Sequence, residues 1–195
     1  MPFKKYEGND RYHVRFLRRN IKHPFIVTET IPKPSTKDEY YLSGFVITHS
    51  FKSVDKNNNM RLEHNPNPND NKKSYLVRIY YQLLDSSFFS RPYEDWSISI
   101  DDEKKINILL FETISRYIRK AKIDFGRYEK DIYSIIFLII VDPYITQNTL
   151  GDMIGKSVRT IQRRIRFSKI ILRCGSRKNG FWRIGTSMMR LIEKW

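Results

Sequence analysis

One cysteine, Cys174, stands in the whole 195-residue sequence. A single thiol excludes an internal disulfide and a cysteine-built zinc site. Histidine is scarce too: His13, His23, His49 and His64 are the only four, and none has the close, paired spacing of zinc ligands. No metal and no cofactor is therefore expected. The longest apolar run, Ile135 to Val141, is seven residues, far below the ~20 that cross a bilayer. No apolar leader follows Met1-Pro2-Phe3-Lys4-Lys5, so a cytoplasmic protein without membrane contact is expected. A Walker-type glycine-rich phosphate loop is also absent.

Basic side chains are plentiful. Lys and Arg number 36 against 21 Asp and Glu, a formal net charge of +15. Residues 143–195 hold 12 basic and 2 acidic side chains, and no acid lies between Met153 and Ile192. Ordinary solvated surfaces mix both signs. An unbroken basic stretch suits a surface that meets phosphates, each of which releases counterions when neutralised. Apolar residues at 40% and aromatics at 14% suffice for buried cores.

Four regions are expected along the chain. Residues 1–22 read as a basic leader, with Arg15, Arg18, Arg19 and Lys22 close together. Residues 23–100 read as a β-rich domain, with strands at 25–28, 40–48, 74–84 and 96–100, the last two from alternating side chains. Gly44 is expected at a bulge or close-packing point. The run Asn65-Pro66-Asn67-Pro68-Asn69-Asp70-Asn71 predicts an exposed loop. Such short strands suggest a strongly bent sheet or a small barrel. Residues 101–127 predict a linking helix, where Asp101-Asp102-Glu103 is an acidic helix start and Ile106, Leu109, Leu110, Ile114 and Ile118 form one face. Residues 128–195 form the last region, opening with a helix from Glu129 to Val141 that Asp142-Pro143 stops. The fold class is α+β, and no internal repeat is visible.

Within the last region, Thr149 to Ile154 predicts a short helix with Leu150, Met153 and Ile154 inward. Gly155 suits its left-handed C-terminal cap, and Ser157 the N-cap of a second helix. That helix buries Val158, Ile161 and Ile165, leaving Arg159, Thr160, Gln162, Arg163 and Arg166 on exposed arcs. Two short helices joined by a Gly-containing turn make a helix-turn-helix; a helical hairpin with merely solvated arginines is the alternative. Next come a strand at 170–173, a basic turn Gly175-Ser176-Arg177-Lys178-Asn179-Gly180, and a returning strand at 181–184.

Residues 132–184 thus resemble a bacterial winged-helix DNA-binding domain. The resemblance rests on Ile145-Thr146-Gln147, Leu150, Ile154-Gly155, Ser157, Arg159-Thr160-Ile161-Gln162-Arg163, Ile165, Gly175-Ser176, Gly180 and Trp182. The customary glycine before the first wing strand is missing. The resemblance implies that the helix from Ser157 enters the major groove of double-stranded DNA. Its contacts would come from Lys156, Ser157, Arg159, Thr160, Gln162, Arg163, Arg166 and Arg183, with Arg177 and Lys178 on the wing. Arg suits guanine edges and Gln adenine edges.

A second pattern lies nearer the N-terminus. His23-Pro24-Phe25-Ile26-Val27 and Gly44-Phe45-Val46-Ile47-Thr48-His49-Ser50 are similar to the first strands of PemK/MazF-type toxins, SH3-like barrels that cut RNA without a metal. That resemblance implies an SH3-like barrel here. Metal-free RNA cleavage needs an acid, a base and a cation on the phosphate, and Thr48, His49, His64 and Arg78 are the candidate side chains for those roles. Three readings stay open: a DNA-binding regulator or mobile-element or defence accessory factor, whose N-terminal domain contacts a partner; a metal-independent endoribonuclease with a DNA-binding tail; and an RNA- or protein-docking subunit of a nucleoprotein complex. A homodimer is compatible with each.

Overall fold

The computed structural model describes residues 12–17, 23–33, 39–49, 59–89, 96–176 and 180–185. The protein is mixed α+β, and its chain divides into two units, residues 1–106 and 107–195. The first unit carries five antiparallel strands: β1 (His13–Leu17), β2 (His23–Pro32), β3 (Tyr40–Thr48), β4 (Asn59–Arg61) and β5 (Tyr75–Asp85). Their order is β1-β2-β3-β5-β4. Among the described residues the sheet does not close into the expected barrel: β1 and β4 stand at its two edges, and the three-residue β4 pairs with β5 alone. The strand β1 lies inside the stretch that reads as a basic leader. Its Val14 and the preceding Tyr12 are buried, an alternation that the neighbouring arginines obscure.

The sheet bends at bulges. Between the pairs Leu42↔Leu84 and Gly44↔Tyr81, two steps on β3 face three on β5, and a second irregularity falls between Phe45 and Ile47. On the other side of β3, Thr28 is the extra residue between Val27↔Gly44 and Glu29↔Ser43. Such insertions kink and twist a strand pair. Gly44 sits at the crossing, where a Cβ would stand 1.9 Å from the Ile26 carbonyl oxygen, so no other residue fits. Every residue of β3 from Leu42 to Thr48 is buried, the signature of a strand covered on both faces. Phe25, Val27, Leu42, Val46, Val77 and Phe89 pack on one face, while Phe45 stacks obliquely on Tyr80 on the other at 5.0 Å. Burial pushes the Tyr80 phenol up in pKa, and its hydroxyl shares a hydrogen bond with Thr28 Oγ1 at 3.1 Å.

The Asn-rich loop is held by its own side chains. Asn65, Asn67 and Asp70 each accept the backbone N–H two residues on, at 3.0, 3.0 and 2.9 Å. These Asx turns do locally what a ladder does elsewhere. The expected strand at 96–100 does not form. Ser99 instead caps α1 (Ile100–Lys120): the Asp102 N–H donates to Ser99 Oγ at 3.1 Å, and Ser99 Oγ–H donates back to Asp102 Oδ2 at 2.9 Å. This reciprocal cap wins over the two-residue alternation of Trp96, Ile98 and Ile100.

The boundary between the units falls within α1, after Ile106. The second unit continues with α2 (Glu129–Val141), α3 (Gln147–Ile154), α4 (Val158–Ser168), and the antiparallel pair β6 (Ile171–Cys174) and β7 (Phe181–Ile184). The core of α2 is Ile132, Ile135, Ile136, Ile139 and Ile140, all buried. Trp182 locks β7 to the start of this region: its backbone N–H donates to Pro143 O at 2.7 Å, and its indole Nε1–H donates to Ile145 O at 2.8 Å. Among the described residues no helix is long and apolar enough to cross a membrane.

Candidate nucleic-acid interface

The basic surface is built on the α3–turn–α4 segment. Thr146 caps α3, its Oγ1 accepting from the Thr149 N–H at 3.1 Å. Gly155 ends it with φ +69°, and the Lys156 N–H returns to Gly151 O at 2.9 Å. Ser157 caps α4, accepting from the Thr160 N–H at 3.3 Å. The inward face of α3 differs from the expected one: Leu150 and Gly151 are buried, whereas Met153 is 62% exposed. The glycine lets the chain after the turn press on the helix, since a Cβ on Gly151 would meet Lys156 O at 2.7 Å.

On α4, Ile161, Ile165 and Ser168 are buried. Arg159, Arg163 and Arg166 are exposed and spaced i, i+4, i+7, which places them in one stripe on the side away from Ile161 and Ile165. None of the three pairs with a carboxylate among the described residues. Lys156, in the turn, and Ser157 are exposed as well. The Thr160 hydroxyl is occupied by the cap, at 3.0 Å from Ser157 Oγ. Gln162 is half-buried and donates from Nε2 to Gln147 Oε1 at 3.0 Å, a bridge from α4 to the first residue of α3.

Arg164 belongs to a different face. Its Nε donates to Asp131 Oδ2 of α2 at 2.9 Å, and its guanidinium lies 3.7 Å from the centroid of the Tyr128 ring. The Tyr128 phenol is lowered in pKa, chiefly by its hydrogen bond from Arg127.

After α4, Lys169 adopts φ +57°. It takes up the left-handed position where a glycine is customary, so the helix ends without one. Of the remaining predicted contacts, Arg183 is half-buried on β7. Arg177 and Lys178 lie outside the described residues. Arg173, on β6, stacks over Trp182 at 4.8 Å, and Cys174 is a free, half-buried thiol.

The four N-terminal candidates all lie in the first unit. Thr48 is buried at the end of β3. His49 Nδ1 lies 3.3 Å from Ser74 Oγ and 3.4 Å from Lys73 O, with its Nε2 3.9 Å from Asp70 Oδ2. The Asp70 carboxyl is lowered in pKa, mainly by the Lys72 backbone N–H. His64 is exposed, and its backbone N–H is held by Asp102 at 3.2 Å. Arg78 is half-buried on β5. Among the described residues no three His, Cys, Asp or Glu side chains gather as a metal site.

Sequence reasoning passed over Gln147, Gly151 and Arg164 as individual residues. The glutamine stood in the recognised run without a role, and its partner 15 residues on is invisible without the turn geometry. In comparison with known proteins, the chain matches no family model, no curated protein and no solved structure.

Proposed function

We propose that this protein binds double-stranded DNA, with α3 and α4 as a helix-turn-helix, β6 and β7 as a wing, and α4 in the major groove. The observation that carries this reading is the stripe of Arg159, Arg163 and Arg166: three exposed guanidiniums on one helix face, unpaired among the described residues, in a stretch without a single acid. A solvated surface would place counter-charges beside them. Ile161 and Ile165 at their back fix the helix against the core, so the guanidiniums face outward from a firm support. Lys156 and Ser157 extend the same surface at the helix start, where backbone N–H groups favour phosphate. The first unit, an open bent sheet, serves as the module that contacts a partner or a second copy. The biological role consistent with this division is that of a regulator, or of an accessory factor in a mobile element or defence system.

The test is a salt-titrated binding assay of the full chain with a labelled duplex and a single-stranded RNA of matched length, with cleavage followed on a gel. Tight, salt-sensitive binding to the duplex with the RNA intact is expected. The triple replacement of Arg159, Arg163 and Arg166 by Ala should flatten the log–log salt slope by about 3 if each holds one phosphate. Equal affinity for both nucleic acids, or an unchanged slope, overturns the reading. RNA cleavage that survives EDTA replaces it with the endoribonuclease reading and makes His49 and Arg78 the next targets.

A further inference from the structure

Gln162 and Gln147 form the one side-chain amide pair that joins α3 to α4 among the described residues. A primary amide has two donor hydrogens and one acceptor oxygen with two lone pairs. Gln162 spends one N–H on Gln147 Oε1 at 3.0 Å. It keeps its oxygen and its second N–H. Gln162 also stands three residues after Arg159 and four before Arg166, hence next to the arginine stripe on the helix surface.

Resting on the DNA-binding reading, we propose that Gln162 reads one adenine in the major groove and that Gln147 is the positioning residue that sets its amide for the task. Adenine presents N7 as acceptor and N6–H as donor. The remaining N–H of Gln162 meets N7, and its oxygen meets N6–H. An unheld glutamine side chain would sample several rotamers and both amide orientations. The bridge to Gln147 removes that freedom before DNA arrives, so less ordering remains to be done on binding. Because the pair spans both helices, it also couples the base contact to the packing of α3 against α4. Gln147, at the first turn of α3, retains its own NH2 for a neighbouring phosphate.

The experiment is selection from a randomised duplex library by the full chain, repeated with Gln162→Ala, Gln147→Ala, Gln162→Glu and Gln147→Glu, alongside thermal melts of each. The native protein is expected to enrich a motif containing one A·T pair that Gln162→Ala no longer selects, with a preference about 5- to 150-fold weaker at that position only. Gln147→Ala should weaken the same position, whereas Gln147→Glu, which keeps an acceptor oxygen for Gln162, should retain the base choice despite lower overall affinity. Gln162→Glu removes the donor for N7 and should turn the choice toward cytosine, a gain that misfolding does not produce. If Gln162→Ala or Gln147→Ala still selects the native motif, or if the native protein binds duplex without base preference, the proposal is overturned while DNA binding stands. Failure to bind any duplex at low salt overturns both.

Discussion

Arg164 and Asp131 join α4 to α2 through a 2.9 Å hydrogen bond between Nε and Oδ2. Its sequence neighbour Arg163 is exposed and belongs to the outward stripe. Two adjacent arginines therefore lie on different faces of α4. With side chains 17% and 19% exposed, the Arg164–Asp131 pair is sheltered enough to matter, and stacking on Tyr128 adds to it. Arg164→Ala should destabilise the second unit by about 2 kcal/mol in urea denaturation and leave the salt slope of DNA binding unchanged. Arg163→Ala should leave stability unchanged; it should lower the slope by about one if the side chain holds a phosphate, or cost about 1–3 kcal/mol of binding if it reads a base. Interchanged results would show that the wrong arginine has been placed toward the groove.

Glycines 151 and 155 differ in the same instructive way. Gly155 has open space around the Cβ position and is required by its φ of +69°. Gly151 has ordinary helical context but would drive a Cβ to 2.7 Å from Lys156 O. Gly151→Ala thus trades a small gain in helix propensity for a backbone collision inside the turn, and a net loss of about 1–3 kcal/mol is expected. Gly155→Ala should cost about 1–2 kcal/mol from left-handed strain alone. Chemical denaturation of both variants measures this; a stabilised Gly151→Ala would mean that the turn has room to yield.

These two positions also show what sequence can and cannot reveal. A left-handed cap has a local signature, a glycine after a short apolar helix, and so Gly155 and Ser157 were legible. The helix from Glu129 to Val141 and the strand from Tyr40 to Thr48 were legible for similar reasons, a stop at Asp142-Pro143 and a β-branched, aromatic run. Close approach of a turn to a helix has no local mark, so nothing in the sequence singles out Gly151, and the apolar spacing points Met153 inward although it is exposed. Likewise, Asp101-Asp102-Glu103 announce a helix start, yet the alternation of Trp96, Ile98 and Ile100 points to a strand before it, and the Ser99–Asp102 cap won. Of the candidate interface, the arginine stripe followed from period alone. That the adjacent Arg164 turns inward needed the position of Asp131, 33 residues away.

Asp102 is a further case of a local feature with a distant task. It is only 2% exposed and accepts from the Glu63 N–H at 2.7 Å, the His64 N–H at 3.2 Å and Ser99 Oγ–H at 2.9 Å. Lys105 bonds to Glu63 beside it. One carboxylate thus ties residues 63–64 to the start of α1. Asp102→Ala should leave two backbone donors without their acceptor and destabilise the first unit by about 3–5 kcal/mol. Asp102→Asn, which retains one acceptor oxygen, should lose less. Hydrogen exchange at the Glu63 and His64 amides provides the readout: protection that persists in the alanine variant would show that the carboxylate is dispensable.

The Lys33–Asp85–Glu39 cluster gives the first unit a defined response to acid. Lys33 Nζ lies 2.5 Å from Asp85 Oδ2 and 2.8 Å from Glu39 Oε2. The Lys33 hydrogen bond, joined by that of the Ser87 N–H, lowers the Asp85 pKa from 3.8 to about 2. A carboxyl with a depressed folded pKa binds protons more readily when unfolded, so its stabilisation is complete above the unfolded value and disappears as pH falls through the folded one. Its hydrogen bonds to Asp85 and Glu39 raise the pKa of Lys33, which therefore stays cationic throughout that window. The stability difference between the native protein and Asp85→Asn should be constant from neutral pH down to about 5, then shrink between about 4 and 2. Urea denaturation followed at a series of pH values measures that difference. A gap that persists undiminished at pH 2 would show that the aspartate acts through its geometry at the β5 terminus, where it caps Ser87 at 2.9 Å, rather than through its charge.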